Sequence, residues 1–335
     1  MRKLVVVYSL LVWSGVATAC DFCNCYLGIN PHYKKNSIGL RATSSNYNGS
    51  HMESTELEKY NLTTRDFEEN RSTYEIQAQY YPVQKLQLQL FIPYILNTET
   101  MSDNAYQSFT TVPASTARVS HADHTASQTE QTAVEKSSKI SGMGDPLLLA
   151  KFQVFNINGW DSTALQQRML LGAGLKLPLG KSHFDAAINP IEKSHQPGTG
   201  SWDVLPNLTY LAKYKAIGVN VNLSYMITTE DKHGFKNSNR WNANVSVYKE
   251  FMKGKFAVYP SLGLYYEQAG MTNYQGSNLE KSGGNLILAH GGLDFYYRKF
   301  SLSTAFHLPT LQKLNGAQPH MNYRFIVGLS YVINT

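Results

Sequence analysis

Near the C-terminal end of the chain, apolar and polar positions alternate with period two. Tyr323, Phe325, Val327, Leu329, Tyr331 and Ile333 are large and apolar. Between them stand Arg324, Ile326, Gly328, Ser330 and Val332. A strand sends successive side chains to opposite faces, so one face of this segment is wholly apolar and the other small, mixed or polar. Strands of bacterial outer-membrane barrels have this pattern, with lipid on the apolar side. A half-buried strand of a soluble sandwich has it too. The rest of the chain decides between them.

The same alternation recurs upstream. Ile38, Leu40 and Ala42 oppose Arg41 and Thr43. Tyr74, Ile76 and Ala78 oppose Glu75, Gln77 and Gln79. A tight turn at Pro82–Lys85 then leads into Leu86, Leu88, Leu90 and Ile92. Further strands are predicted around Leu148–Val154, Met169–Leu177, Trp202–Lys213, Val219–Ile227, Trp241–Val247, Phe256–Tyr266, Ile287–Tyr297 and Phe300–Leu308. About twelve strands of roughly 10–13 residues result, the length a tilted strand needs to cross a bilayer. Short turns near Pro82, Asn158, Ala216, Gly254 and Arg298 alternate with long polar loops at 48–70, 98–139, 179–201, 229–239, 268–283 and 309–320. A soluble sandwich has no reason to sort its connections this way. An up-and-down membrane barrel has short periplasmic turns and long outer loops. The pattern predicts an all-β, antiparallel transmembrane β-barrel with both termini in the periplasm, closed by pairing of the last strand with the strand near Ser37. The closing strand departs from expectation in one respect: Val332, Ile333, Asn334 and Thr335 follow Tyr331, whereas many outer-membrane barrels end on an aromatic residue.

Composition supports export and a membrane setting. Met1–Lys3 is charged, Leu4–Val12 is apolar, and Ala17-Thr18-Ala19 is a small-residue end, which together make a secretory signal peptide over residues 1–19. The chain holds 22 tyrosines, 14 phenylalanines and 4 tryptophans, and only 16% of it is charged. Soluble domains average about 25%. Residues 20–35 precede any alternation and read as a periplasmic arm; 36–335 read as the barrel. The net charge of +6 is scattered without a basic cluster, which argues against a nucleic-acid partner. Tyr94, Trp202, Tyr225, Trp241, Tyr266, Tyr296 and Tyr331 are expected to form interfacial girdles.

Three stretches carry a resemblance. They are Gly142-Met143-Gly144-Asp145-Pro146 running on to Phe152, Gly172-Ala173-Gly174-Leu175-Lys176-Leu177-Pro178-Leu179-Gly180, and Gln196-Pro197-Gly198-Thr199-Gly200-Ser201-Trp202-Asp203. In order and spacing the chain resembles the Gram-negative outer-membrane barrels grouped as meta-pathway phenol-degradation proteins, well over residues 140–335 and loosely over 36–97. The resemblance implies an outer-membrane, transport-related role. A plainer reading has these glycines only bending strands at the barrel rim.

Candidate chemistry is of three kinds. By alternation Arg41, Glu75, Gln77, Gln79, Lys151, Lys176, Lys213, Asn222, His307 and Arg324 should line the lumen, either pairing with one another or lining a solute path. Cys20, Cys23 and Cys25 lie within six residues, a cluster suited to a soft metal ion. A periplasmic disulfide and lipid attachment at Cys20 are competing readings. No other cofactor is expected. His121 and His124 sit in a Ser/Thr-rich stretch and read as a solvated loop. The expected function is a channel or transporter for small, including hydrophobic, solutes, with outer-membrane lipid and the outer-membrane assembly machinery as partners. The alternatives are a barrel enzyme of phospholipase type, for which His307 with Ser303 is the best available pair, and a metal-handling surface protein built on the cysteines.

Overall fold

The computed structural model describes residues 35–51, 65–103, 135–158, 164–182, 196–316 and 318–333. Twelve antiparallel staves form one closed sheet. They are β1 (Asn36–His51), β2 (Arg65–Val83), β3 (Leu86–Asp103), β4 (Glu135–Met143 continued by Leu147–Ile157), β5 (Gln166–Lys176), β6 (Asp203–Tyr214), β7 (Ile217–Thr228), β8 (Arg240–Lys249 continued by Phe251–Lys253), β9 (Phe256–Ala269), β10 (Gly284–Tyr297), β11 (Phe300–Leu314) and β12 (His320–Ile333). Each stave pairs with its neighbours in the chain, and β12 returns to β1, from Asn36 opposite Ile333 to Asn48 opposite His320. Closure leaves the sheet no free edge. Strands hydrogen-bonded to neighbours on both sides are the arrangement that lets a sheet cross a bilayer.

The alternation sorts side chains as the pattern demands. Leu40, Ile76, Phe152, Leu171, Val247, Leu264, Phe306 and Leu329 are exposed on the outer surface, while Glu75, Lys151, Asn222, Asn244 and His307 are buried inside. The exposed apolar residues come from every stave. On a soluble protein a patch of that extent would drive association; around a barrel it is a lipid-facing belt. Tyr94, Trp202, Trp241 and Tyr331 are on that outer surface. Tyr296 is not: it is buried with Tyr248 and Tyr259 inside the barrel. It lies between outward-facing Phe295 and half-buried Tyr297, so the period of two turns it inward.

Three further expectations need correction. The first hairpin extends well past residue 48, with Asn48 opposite Glu68 and His51 opposite Arg65. β3 likewise runs to Asp103, and β11 to Leu314. The extensions of β1 to β3 are largely polar on both faces, and in that of β11 Leu311 and Leu314 stand three apart, out of step with a period of two, so periodicity reads them as loop. The remaining polar connections are correspondingly shorter, and one end is further ordered by three short strands, Phe235–Lys236, Asn273–Tyr274 and Ser277–Asn278, the middle of which pairs with the other two. At the opposite end the turns are tight, with Lys215, Gly254 and Arg298 at positive φ.

Candidate functional site

The three glycine-bearing stretches converge into one buried knot. β4 is interrupted at Gly144-Asp145-Pro146, and Pro93 of β3, which has no N–H to offer, faces the gap; its carbonyl accepts from Gly144 N at 2.8 Å. The break turns Asp145 inward. Asp145 Oδ1 accepts from Gly180 N at 2.9 Å, and Oδ2 accepts from Thr199 N at 2.8 Å and from the Thr199 hydroxyl at 2.7 Å. Lys176 Nζ lies 3.6 Å from Asp145 Oδ2, contacts Asp203 Oδ2 more closely, and donates to Thr199 Oγ1 at 2.6 Å. Ser201 Oγ donates to Asp203 Oδ1 at 3.0 Å. The backbones pass so close that a Cβ on Gly198 would meet Gly180 C at 2.5 Å. These glycines therefore do more than bend strands: they let two loops cross over a buried ion-pair cluster.

Above and below this knot the lumen is layered. Tyr47, Phe91, Leu147, Leu149, Leu205, Met226, Tyr265, Leu286, Leu288 and Met321 form one buried apolar cluster drawn from eight staves. Toward the turn end the wall becomes polar on the side of β1 to β7, while Tyr248, Ala257, Tyr259 and Tyr296 form a second buried cluster on the side of β8 to β10. Arg41 pairs with Glu75 at 2.8 Å, and Gln77 donates to the same carboxylate at 2.6 Å. Gln87 donates to Gln79 at 2.6 Å. Across the lumen, Lys151 Nζ and Asn222 Nδ2 donate to Thr209 Oγ1 at 3.2 and 3.0 Å, and Asn207 donates to Asn222 Oδ1 at 3.0 Å. Between these walls is a cavity of about 170 Å³ that reaches Ser37 and Tyr81 near the turn end.

The remaining expected residues form separate groups. Lys213 pairs with Glu250, which also accepts from Tyr259 Oη at 2.7 Å. Glu250 is the residue between the two parts of β8 and continues the inward series of Asn244, Ser246 and Tyr248. His307 stacks on His290 with centroids 4.7 Å apart, and His290 Nε2 lies 2.8 Å from Asn244 Oδ1. The Arg324 guanidinium sits 5.6 Å from the Tyr265 ring centroid, and its Nε donates to Ser45 Oγ at 3.4 Å. All ten expected lumen residues are thus buried or half-buried within the barrel, but in several groups rather than one. His307 faces the inside, stacked on His290, and not an exposed barrel face, so with Ser303 it does not meet the geometry of a lipid-facing hydrolase. Cys20, Cys23, Cys25, His121 and His124 lie outside the described residues. Among the described residues no group of three or more His, Cys, Asp or Glu side chains could hold a metal ion.

Periodicity alone did not single out Arg168, Glu267, His290, Asp294, Tyr248 or Tyr259, all buried inside. Each could have been found by extending the alternation one step further: Arg168 precedes Met169, and His290 follows Ala289.

Fold and lumen together define a twelve-stranded barrel of the outer-membrane type. The chain belongs to the family described as "Putative MetA-pathway of phenol degradation", whose model matches residues 85–306. A crystal structure of an outer membrane channel from Pseudomonas putida F1 is similar at a TM-score of 0.58 and 14% identity, over 91% of this chain and 100% of that one. The transport unit of the autotransporter AIDA-I from Escherichia coli gives 0.46 at 11% identity, over 92% and 94%. The β domain of the Bordetella autotransporter BrkA gives 0.44 at 9%, over 89% and 100%. The last two overlay too loosely to bear on function. A search of curated proteins finds no match in sequence.

Proposed function

We propose that this protein is an outer-membrane channel for small solutes, including hydrophobic ones, whose path runs through the barrel past Arg41, Glu75, Gln77, Gln79, Lys151, Lys176, Lys213, Asn222, His307 and Arg324. The observation that carries the reading is the layered lumen: an apolar cluster across the barrel and a polar cavity beneath it on the turn side. The two give a solute successive apolar and polar surroundings along one barrel. An apolar layer resists hydrated ions, because it offers no groups to replace their water, and admits a solute that carries apolar surface. The similar fold of the Pseudomonas putida channel supports the same reading. The outer surface fits outer-membrane lipid, and the closing stave β12 is the segment the assembly machinery would read.

Reconstitution tests this. Purified protein in planar bilayers should give small conductance steps, and proteoliposomes should take up a small apolar solute such as toluene faster than lipid vesicles alone. Replacing Phe91 and Leu288 by Ala should raise ionic conductance several-fold, because it opens the apolar layer. A barrel that folds and inserts yet gives neither conductance nor uptake overturns the channel reading.

A further inference from the structure

The two rims of the barrel differ in charge. Lys85 stands between β2 and β3, Lys215 between β6 and β7, Lys253 and Lys255 on either side of Gly254 where β8 meets β9, and Arg298 and Lys299 between β10 and β11. All are exposed except Lys299, which is half-buried. Close to these turns the described carboxylates are Glu250, which pairs with Lys213, and Asp294, which is buried inside the barrel. At the loop end exposed acids and bases mix instead, as Glu230 does with Lys232 and Glu280 with Lys281. In the sequence the bases are scattered; the barrel gathers them onto the turn rim.

From β8 to β12 these bases border a row of aromatic rings. Lys253 stands opposite Phe256, Phe256 opposite Tyr297, Tyr297 opposite Phe300, and Phe300 opposite Tyr331. Phe256 stacks on Tyr297 with centroids 4.5 Å apart, and Phe300 meets Tyr331 at 5.0 Å. Phe256, Phe300 and Tyr331 are exposed on the outer surface. The bases lie against such rings: Lys249 Nζ is 5.0 Å from the Phe251 centroid, Arg298 Cζ 5.3 Å from that of Tyr297, and Lys299 Nζ 5.7 Å from that of Tyr331. The two basic turns touch, Arg298 N donating to Lys255 O at 3.3 Å. Nothing lies within 4 Å of a Cβ built on Gly254, so the turn that carries Lys253 and Lys255 stands clear of the rest of the molecule.

We propose that the arc from β8 to β12 at the turn end binds the headgroups of anionic phospholipid, with Lys253, Lys255, Arg298 and Lys299 toward the phosphates and the aromatic row against the glycerol backbone and upper acyl chains. Aromatic girdles sit at headgroup level, and bases just beyond them reach the phosphate layer. Short turns face the periplasm in barrels of this kind, so the leaflet concerned is the periplasmic one. Lipid suits the arc better than a soluble acidic partner does, because the rings beside the bases belong to the lipid-facing belt. Each base near an anionic membrane surface strengthens the attraction about five-fold. The inference goes beyond the channel reading and does not rest on it.

Lipid titration tests it. Dioleoyl phosphatidylglycerol and dioleoyl phosphatidylethanolamine, which share their acyl chains, are titrated into the intact barrel in detergent and counted by native mass spectrometry at low and high ammonium acetate. Phosphatidylglycerol should bind about ten-fold more tightly, and the higher salt should remove most of that preference. The Lys253→Gln/Lys255→Gln/Arg298→Gln/Lys299→Gln variant should bring the two lipids to within about two-fold of each other. The Lys232→Gln/Lys236→Gln/Lys281→Gln/Lys313→Gln variant, the same change of charge at the loop end, should keep the preference. Equal binding of the two lipids by the unaltered protein, an unchanged preference in the folded turn variant, or an equal loss in the loop variant overturns the proposal. So does displacement of phosphatidylglycerol by soluble polyglutamate, which would give the arc to an acidic protein partner. If the fourfold turn variant does not fold, Lys253→Gln/Lys255→Gln on the open turn decides in its place: a reduced preference supports the proposal and an unchanged one overturns it.

Discussion

At the scale of single residues the glycine-rich knot makes the sharpest demands. Asp145 is buried, accepts three hydrogen bonds from two crossing loops and faces Lys176. Removing one member of a buried ion pair costs about 3–5 kcal/mol, because the other charge is left in a place that cannot hydrate it. Asp145→Ala should therefore lower the temperature at which the folded form is lost on a semi-denaturing gel, and Asp145→Asn, which keeps an acceptor for Gly180 N, should lower it less. Gly198→Ala should be harmful but less so, since its Cβ would press on Gly180 backbone atoms and overpacking costs about 1–3 kcal/mol. Gly254→Ala is the contrast: nothing lies within 4 Å and only its positive φ opposes a side chain, a cost of about 1–2 kcal/mol. Thermal melts should rank Asp145→Ala, Gly198→Ala and Gly254→Ala in that order of falling destabilisation.

The staves bring in a second scale, where location on the inner or outer face matters more than identity. Leu264 lies well inside β9, more than half exposed on the outer surface. An arginine near the bilayer midplane costs about 2–4 kcal/mol, so Leu264→Arg should lower urea stability in lipid vesicles by that order. Leu264→Ile, which keeps an apolar group on the outer face, should leave it nearly unchanged. Which staves exist, and which face each presents, was legible in the sequence because lipid and water on opposite sides impose a period of two. What was hidden follows the same logic. Leu147-Leu148-Leu149 and Leu286-Ile287-Leu288 are apolar on both faces, so the inner layer they build left no mark on the period. The hairpin above Asn48 is polar on both faces and read as loop. The ion-pair knot was visible only as three short motifs, because nothing in spacing alone says that residues 145, 180 and 199 meet.

For the whole molecule, the apolar belt and the edge-free sheet lead to a simple expectation. The protein should fractionate with the outer membrane and migrate faster unheated than boiled on a mildly denaturing gel; recovery in the soluble periplasm would contradict the barrel's membrane setting. The lumen was only partly legible at this scale. Alternation says which side chains point inward, but the order in which they meet across the barrel depends on stagger between staves. His290 and His307, directly opposed in register, stack at 4.7 Å, yet they stand on different staves whose alignment no local pattern fixes.

The seam between β1 and β12 reaches beyond stability. Residues at opposite extremes of the sequence, Ile38 and Tyr331 among them, are direct neighbours. A chain emerging N-terminus first cannot complete this ring until its final segment has been made, so every intermediate short of full length carries two raw borders. Such an intermediate is sticky toward copies of itself and needs an escort until the ends meet. A ring joined at its termini also tolerates a new opening elsewhere: linking the old ends through a short peptide and starting the chain at the tight turn by Lys215 should yield the same barrel in permuted order, detectable by the same heat-sensitive migration.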